Sequence, residues 1–197
     1  HATRPTEDRS RHLRTAQGGQ LKASQGVNQR PYLVQATDRS CRDTDATRQC
    51  FAAGEGRTNE NMGLTSMQLL FFREHNRLAS ELQRINPQWD DERLFQEARK
   101  ILIALKQHII YNEWLPTVIG LNNAALFDLT PLPTATFFQG YDSNVNPQLS
   151  NEFAAAAFRF GHTLVRNRFG RFDGNNQQVS TPVNLVDIIF RPVEAHK

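Results

Sequence analysis

Two stretches of this chain carry apolar residues at helical spacing for longer than a loop or strand sustains, and they constrain the fold class most. From Leu64, the residues Leu64, Met67, Phe71, Leu78, Leu82 and Ile85 recur at helical intervals, because about 3.6 residues per turn returns every third or fourth side chain to one face. Asn86-Pro87 closes that run, since proline donates no N–H and crowds the residue before it out of the α region. A second run opens at Asp90 and Asp91, acids placed where the helix dipole favours negative charge, and continues through Leu94, Ala98, Ile101, Leu105 and Ile109. This second helix is predicted to end near Trp114 to Pro116. The expectation is a mainly α fold, with long helices joined by extended irregular loops.

Around those helices the pattern weakens. Residues 1 to about 60 are rich in Arg, Gln, Gly, Thr and Asp without a sustained period, and read as loops and short turns punctuated by Gly18-Gly19 and Arg30-Pro31. Between Gly120 and Asn146, Pro131, Pro133 and Gly140 mark a long irregular connection, of a length that in ordered proteins usually has a functional reason. A third helix is predicted from about Pro147 through Asn151 to Phe169, with Phe153, Phe160 and Leu164 on one stripe and Phe158, His162, Val165 and Phe169 on another. Such a helix should be covered on most sides, and the alanines at 154 to 157 leave room for something broad near its backbone. A polar stretch follows Gly170, then a short apolar run from Val183 to Phe190.

Bulk properties narrow the classes. With 39% hydrophobic and 22% charged residues, the chain suits a globular domain. Its longest apolar runs, Ala154 to Phe158 and Ile101 to Leu105, fall far short of the roughly 20 residues that span a bilayer. The net charge of +3 gathers at Arg4, Arg9, Arg11, Arg14, Lys22 and Arg30. No aromatic residues interleave with these arginines, so a solvated or anion-facing segment is expected there and not a nucleic-acid surface. Cys41 and Cys50 are the two cysteines. They stand close enough for a small disulfide loop in an oxidising compartment, with two free thiols as the alternative.

Two constellations could carry chemistry. His162 lies in the run Phe158-Arg159-Phe160-Gly161-His162-Thr163-Leu164-Val165, where a neutral imidazole in an apolar setting can ligate haem iron; a hydrogen-bonded core histidine fits the same spacing. Arg57 and Glu60 lie in Gly54-Glu55-Gly56-Arg57-Thr58-Asn59-Glu60, ahead of the first long helix. A permanently charged guanidinium beside a cavity can stabilise charge on a bound oxygen species, while a helix-capping role for Glu60 is the plainer reading. His1, His12 and His196 fall in terminal or loop-like segments, His75 follows a charged pair, and His108 is expected on a helix surface or in the core.

The run Cys50-Phe51-Ala52-Ala53-Gly54-Glu55-Gly56-Arg57-Thr58-Asn59-Glu60, followed by Leu64-Thr65 and Arg73-Glu74-His75-Asn76-Arg77-Leu78-Ala79, resembles the animal haem peroxidases. Asn86-Pro87-Gln88-Trp89-Asp90, Gln96-Glu97-Ala98-Arg99-Lys100-Ile101, Gln107-His108-Ile109-Ile110-Tyr111, Leu115-Pro116 and Phe158-Arg159-Phe160-Gly161-His162-Thr163-Leu164 stand in that family's order and spacing. The similarity covers essentially residues 6 to 190. It implies that His162 is the proximal iron ligand of haem b and Arg57 the catalytic arginine on the distal side. It also implies that Glu60 stands where many members form an ester with a haem methyl group, and that Arg159 lies near a haem propionate. Asn61 occupies the place where one branch of the family has a methionine bonded to a haem vinyl group, and Met62 comes one place too late, so no sulfonium link is expected. Gly54-Glu55 replaces the family's Gly-Asp.

The resemblance further implies a haem-dependent reduction of hydrogen peroxide coupled to oxidation of a small donor such as halide or phenol, in a secreted protein. The family's distal histidine, its main calcium-binding loop and the asparagine that supports the proximal histidine find no match in this chain. The whole of 1–197 is thus expected to be a middle portion of a longer peroxidase domain, a poor peroxidase in isolation, and able to associate with missing segments or with itself. The alternatives are an inactive haem-binding or partner-binding remnant, and a helical scaffold in which His162 is merely structural.

Overall fold

In the computed structural model, the described residues are Gln20, Ala23–Gln25, Pro31–Leu33, Gln35–Ala36, Cys50–Phe51, and 53–133 and 136–191. The first long helix, α1, spans Met62–Ile85 and starts where Asn61 Oδ1 accepts the Leu64 N–H at 3.1 Å, satisfying a donor the helix itself cannot. It stops at Asn86, whose backbone and side-chain N–H groups both donate to the Leu82 carbonyl. Asp90 then caps α2, Asp91–Ile109, by accepting the Arg93 N–H at 2.8 Å. The first helix falls where periodicity predicts it, and the second starts as expected, its helical path running past the expected end at Trp114 to Pro116.

The buried face of α1 is another matter. It comprises Met62, Thr65, Phe72, His75 and Ala79, whereas Leu64, Met67 and Ile85 of the apolar stripe are exposed. Hydrophobic spacing found the helix and missed its inner face, because two polar side chains hold places there. On α2, Leu94 and Ala98 are buried, while Ile101, Leu105 and Ile109 further along are exposed.

The chain divides into two compact units, one of residues 1–104 with 167–197 and the other of 105–166. In the first, short antiparallel pairs stand where loops were expected: β1, Ala23–Gln25, with β2, Pro31–Leu33, and β3, Gln35–Ala36, with β4, Cys50–Phe51. A further hairpin joins β5, Arg168–Phe172, to β6, Gln178–Asn184, with Phe169 opposite Val183. Asp173 Oδ1 accepts the N–H groups of Asn175 and Gln177 and shapes the turn, which Asn176 completes at φ 58°. The predicted apolar run 183–190 therefore splits into the end of β6 and the short helix α6, Leu185–Ile188, whose Ile188 is buried.

In the second unit, α2 widens into a π-helical turn, Ile110–Trp114, and continues as α3, Leu115–Ile119, to Gly120 at φ 82°. The widening falls just before Pro116, which has no N–H to extend an α-helical ladder. Helix α4, Leu121–Leu126, follows. The irregular connection is real but shorter than expected: the described residues of 127–150 contain no helix or strand.

The predicted third helix is corrected. Ser150 caps α5, Asn151–Ala155, but Ala156 leaves the helical region at φ −128°, ψ −68°, and a 3-10 helix, Ala157–Leu164, takes over. Phe169 is a strand residue and not part of a helical stripe. The segment is not covered on most sides either, since Phe153, Phe158, Phe160, Leu164 and Val165 are all exposed. Four consecutive alanines carry little side-chain surface, so packing does little to hold one long α-helix together through them.

Candidate functional site

The loop 54–61 leads into α1, and three buried side chains fix it. Asn59, only 4% exposed, accepts the Phe51 N–H through Oδ1 and donates through Nδ2 to the Phe51 carbonyl, both at 2.9 Å. The Thr58 hydroxyl donates to the Glu55 carbonyl at 2.9 Å, and the Thr65 hydroxyl donates to the Thr58 carbonyl at 2.6 Å. The Glu60 N–H donates to the Arg57 carbonyl, and the Glu60 carbonyl accepts the Phe190 N–H, each at 3.0 Å.

This anchoring leaves Arg57 and Glu60 together on one short loop. Arg57 is largely exposed and its Nε donates to Glu55 Oε1 at 2.6 Å, while its backbone N–H donates to Glu55 Oε2. The hydrogen bond and charge of Glu55 raise the arginine pKa, with a smaller contribution from Glu60, so Arg57 keeps its positive charge at any relevant pH. Glu60 is half-buried and precedes the cap of α1, a position that Asn61 fills. The capping reading for Glu60 is thereby overturned.

Arg159 and His162 share the 3-10 helix of the other unit. Arg159 is exposed and its Nε donates to the Ala154 carbonyl at 3.0 Å, which ties the guanidinium back across the break at Ala156. His162 is exposed, and among the described residues no group hydrogen-bonds its imidazole. Exposed Phe158, Phe160, Leu164 and Val165 lie close to it in sequence, and the Phe153 and Phe158 rings pack with centroids 5.4 Å apart. The histidine is therefore not a hydrogen-bonded core residue. An exposed imidazole in an apolar segment, with no hydrogen-bond partner among the described residues, has the donor chemistry that haem iron takes.

The other histidines take different places. His75 is 3% exposed and its Nε2 has no hydrogen-bond partner among the described residues. His108 rims a groove of about 860 Å³ in the second unit, with Tyr111, Asn112, Asp128 and Phe138 among its lining residues. No cysteine among the described residues is free; the expected pairing of Cys50 involves Cys41, which lies outside the described residues, as do His1, His12 and His196. Asn59 and Thr58 are the site residues that sequence reasoning passed over, because a buried polar side chain leaves no periodic trace.

A family model described as animal haem peroxidase matches residues 5–197. Chorion peroxidase of Drosophila melanogaster is 38% identical over 192 residues, covering 98% of this chain and 24% of the relative. A human (Homo sapiens) peroxidasin homolog is 40% identical over 182 residues, covering 89% of this chain and 12% of the relative. The solved structure of Peroxidase A from Dictyostelium discoideum matches with a TM-score of 0.76 at 35% identity, over 92% of this chain and 34% of that one. The chain thus spans 24% or less of the length of these two curated relatives and 34% of the solved neighbour.

Proposed function

Because this chain belongs to the animal haem peroxidase family, we propose that it forms part of a haem-dependent peroxidase in which His162 would hold the haem iron. The observation that carries this reading is the exposed imidazole of His162, unclaimed by any described hydrogen-bond partner, within a segment of exposed aromatic and aliphatic side chains. Burial of such a segment against a flat macrocycle stabilises the bound state by about 25 cal/mol per Å² of apolar surface.

When bound, the haem supplies the iron centre and the redox chemistry that reduces hydrogen peroxide and oxidises a halide or phenolic donor. The protein's own groups bind and polarise. His162 offers a ring nitrogen to the metal, and Arg159 offers a cation to a propionate. Arg57, permanently charged, stabilises negative charge on a reacting oxygen species. Glu60 offers a carboxylate oxygen for an ester link to the haem periphery, as the resemblance implies.

The chain is read as one portion of a longer peroxidase domain, which its coverage of 34% of Peroxidase A supports. Proton transfer by a distal histidine, a calcium loop and the asparagine partner of His162 then come from other segments, and no role in nucleic-acid binding is assigned. The exposed apolar residues of the second unit, Leu121, Phe127, Phe137, Phe138 and Tyr141 among them, support association with those segments or with another copy. A Cys41–Cys50 bridge and an extracellular location complete the reading. No helix among the described residues is long and apolar enough to cross a membrane.

Peroxide-dependent oxidation of a phenolic donor by the haemin-loaded chain tests the assignment. Turnover that Arg57→Ala reduces supports the peroxidase, whereas haem binding without any turnover favours the alternative of an inactive haem-binding remnant.

A further inference from the structure

Asn59 stands in the chain between the two residues proposed to face the haem, and it is buried against Phe51. Its carboxamide pairs with both backbone groups of one residue, Phe51, through bonds of 2.9 Å each, much as a neighbouring strand pairs with a sheet edge. The arrangement demands asparagine's chemistry. Aspartate has no donor for the Phe51 carbonyl, serine is too short to span both groups, and leucine has the shape but neither polar atom. Phe51 and Asn59 are both buried, so neither bond is replaced readily by water.

The residues flanking Asn59 inherit its fixed position. Thr58, 1% exposed, is bonded to Glu55 and Thr65, and the Glu60 backbone is bonded to Arg57 and Phe190. With Thr58 and Asn59 buried and bonded, the side chains of Arg57 and Glu60 start from a backbone held on both sides.

Resting on the haem-binding reading, we infer that Asn59 is a positioning residue, whose clasp on Phe51 sets how Arg57 and Glu60 are presented to the bound haem and to an anion on its iron. Such an anchor acts without touching either. It makes the loop's placement depend on β4, the short strand that carries Cys50.

Two readouts on Asn59→Ala test this, one of them independent of haem. Trypsin cuts after Arg57 only when the loop opens, so in the chain without haem the cut at Arg57 should speed up roughly ten-fold relative to the cut at Arg73 within α1. Leu94→Ala, which loosens the core of the first unit, should not raise that ratio. In the haemin-loaded chain, Asn59→Ala should keep the His162-dependent absorption band and lose roughly ten-fold in fluoride affinity, because the guanidinium no longer meets the anion in a fixed place. Thr65→Val removes one bond to the same loop and should shift both readouts the same way by less, which keeps the comparison readable if Asn59→Ala does not fold. An unchanged cleavage ratio overturns the clasp, and faster cleavage with native fluoride affinity overturns the positioning role. A native chain with no His162-dependent band contradicts the haem reading, and the trypsin comparison then decides the clasp by itself.

Discussion

The imidazole of His75 on α1 packs against the ring of Phe95 on α2, with centroids 5.3 Å apart and planes tilted by 52°, and its buried Nε2 has no hydrogen-bond partner among the described residues. Burial pushes the His75 pKa below the ordinary imidazole value, against smaller upward contributions from Asn76 and the Phe95 backbone. The folded state therefore binds fewer protons than the unfolded one near pH 6. Stability should be level above the unfolded pKa of about 6.5 and fall on acidification below it, by at most about 1.4 kcal/mol per pH unit from this group. Urea denaturation at pH 7.5 and 5.5 checks this, with His75→Phe expected to show a smaller difference between the two than the native chain.

The core of the first unit should answer to Leu94 and not to the outer part of the same helix. Leu94 is 1% exposed and Ile101 is 37% exposed. Leu94→Ala is expected to cost about 2–5 kcal/mol, through lost transfer energy and the cavity left behind, and Ile101→Ala markedly less. Unfolding midpoints of the two variants in urea measure the contrast directly.

Asn61 takes the helix-capping role that its place in the sequence did not announce. Its side chain accepts the Leu64 N–H at 3.1 Å, so Asn61→Ala should destabilise α1 by about 1 kcal/mol. Asn61→Asp keeps the acceptor and adds a charge the helix dipole favours, and should match or exceed the native chain in a thermal melt.

These cases show which features a sequence displays and which it hides. Helices α1 and α2 were legible because their caps, Asn86-Pro87 and Asp90-Asp91, coincide with long periodic runs. The inner face of α1 was not, because Thr65 and His75 occupy it and periodicity counts only apolar residues. The third helix failed for a related reason. Phe169 fits a helical stripe, yet Asp173-Gly174, beginning four residues beyond it in the chain, is a turn signal, and pairing with Val183 decided the outcome. Of the candidate site, the closeness of Arg57 to Glu60 in the chain followed from sequence spacing, and the anchoring of their loop did not. Asn59 achieves that by reaching back to Phe51, a pairing with no local signature.

The account turns on a single ligand, His162. Haemin titrated into the purified native chain should produce the Soret band of a histidine-ligated haem, saturating at one equivalent, and His162→Ala should abolish it while retaining the same helical circular dichroism. Identical Soret spectra for the two proteins, or no band from either, would contradict the assignment of this imidazole to iron.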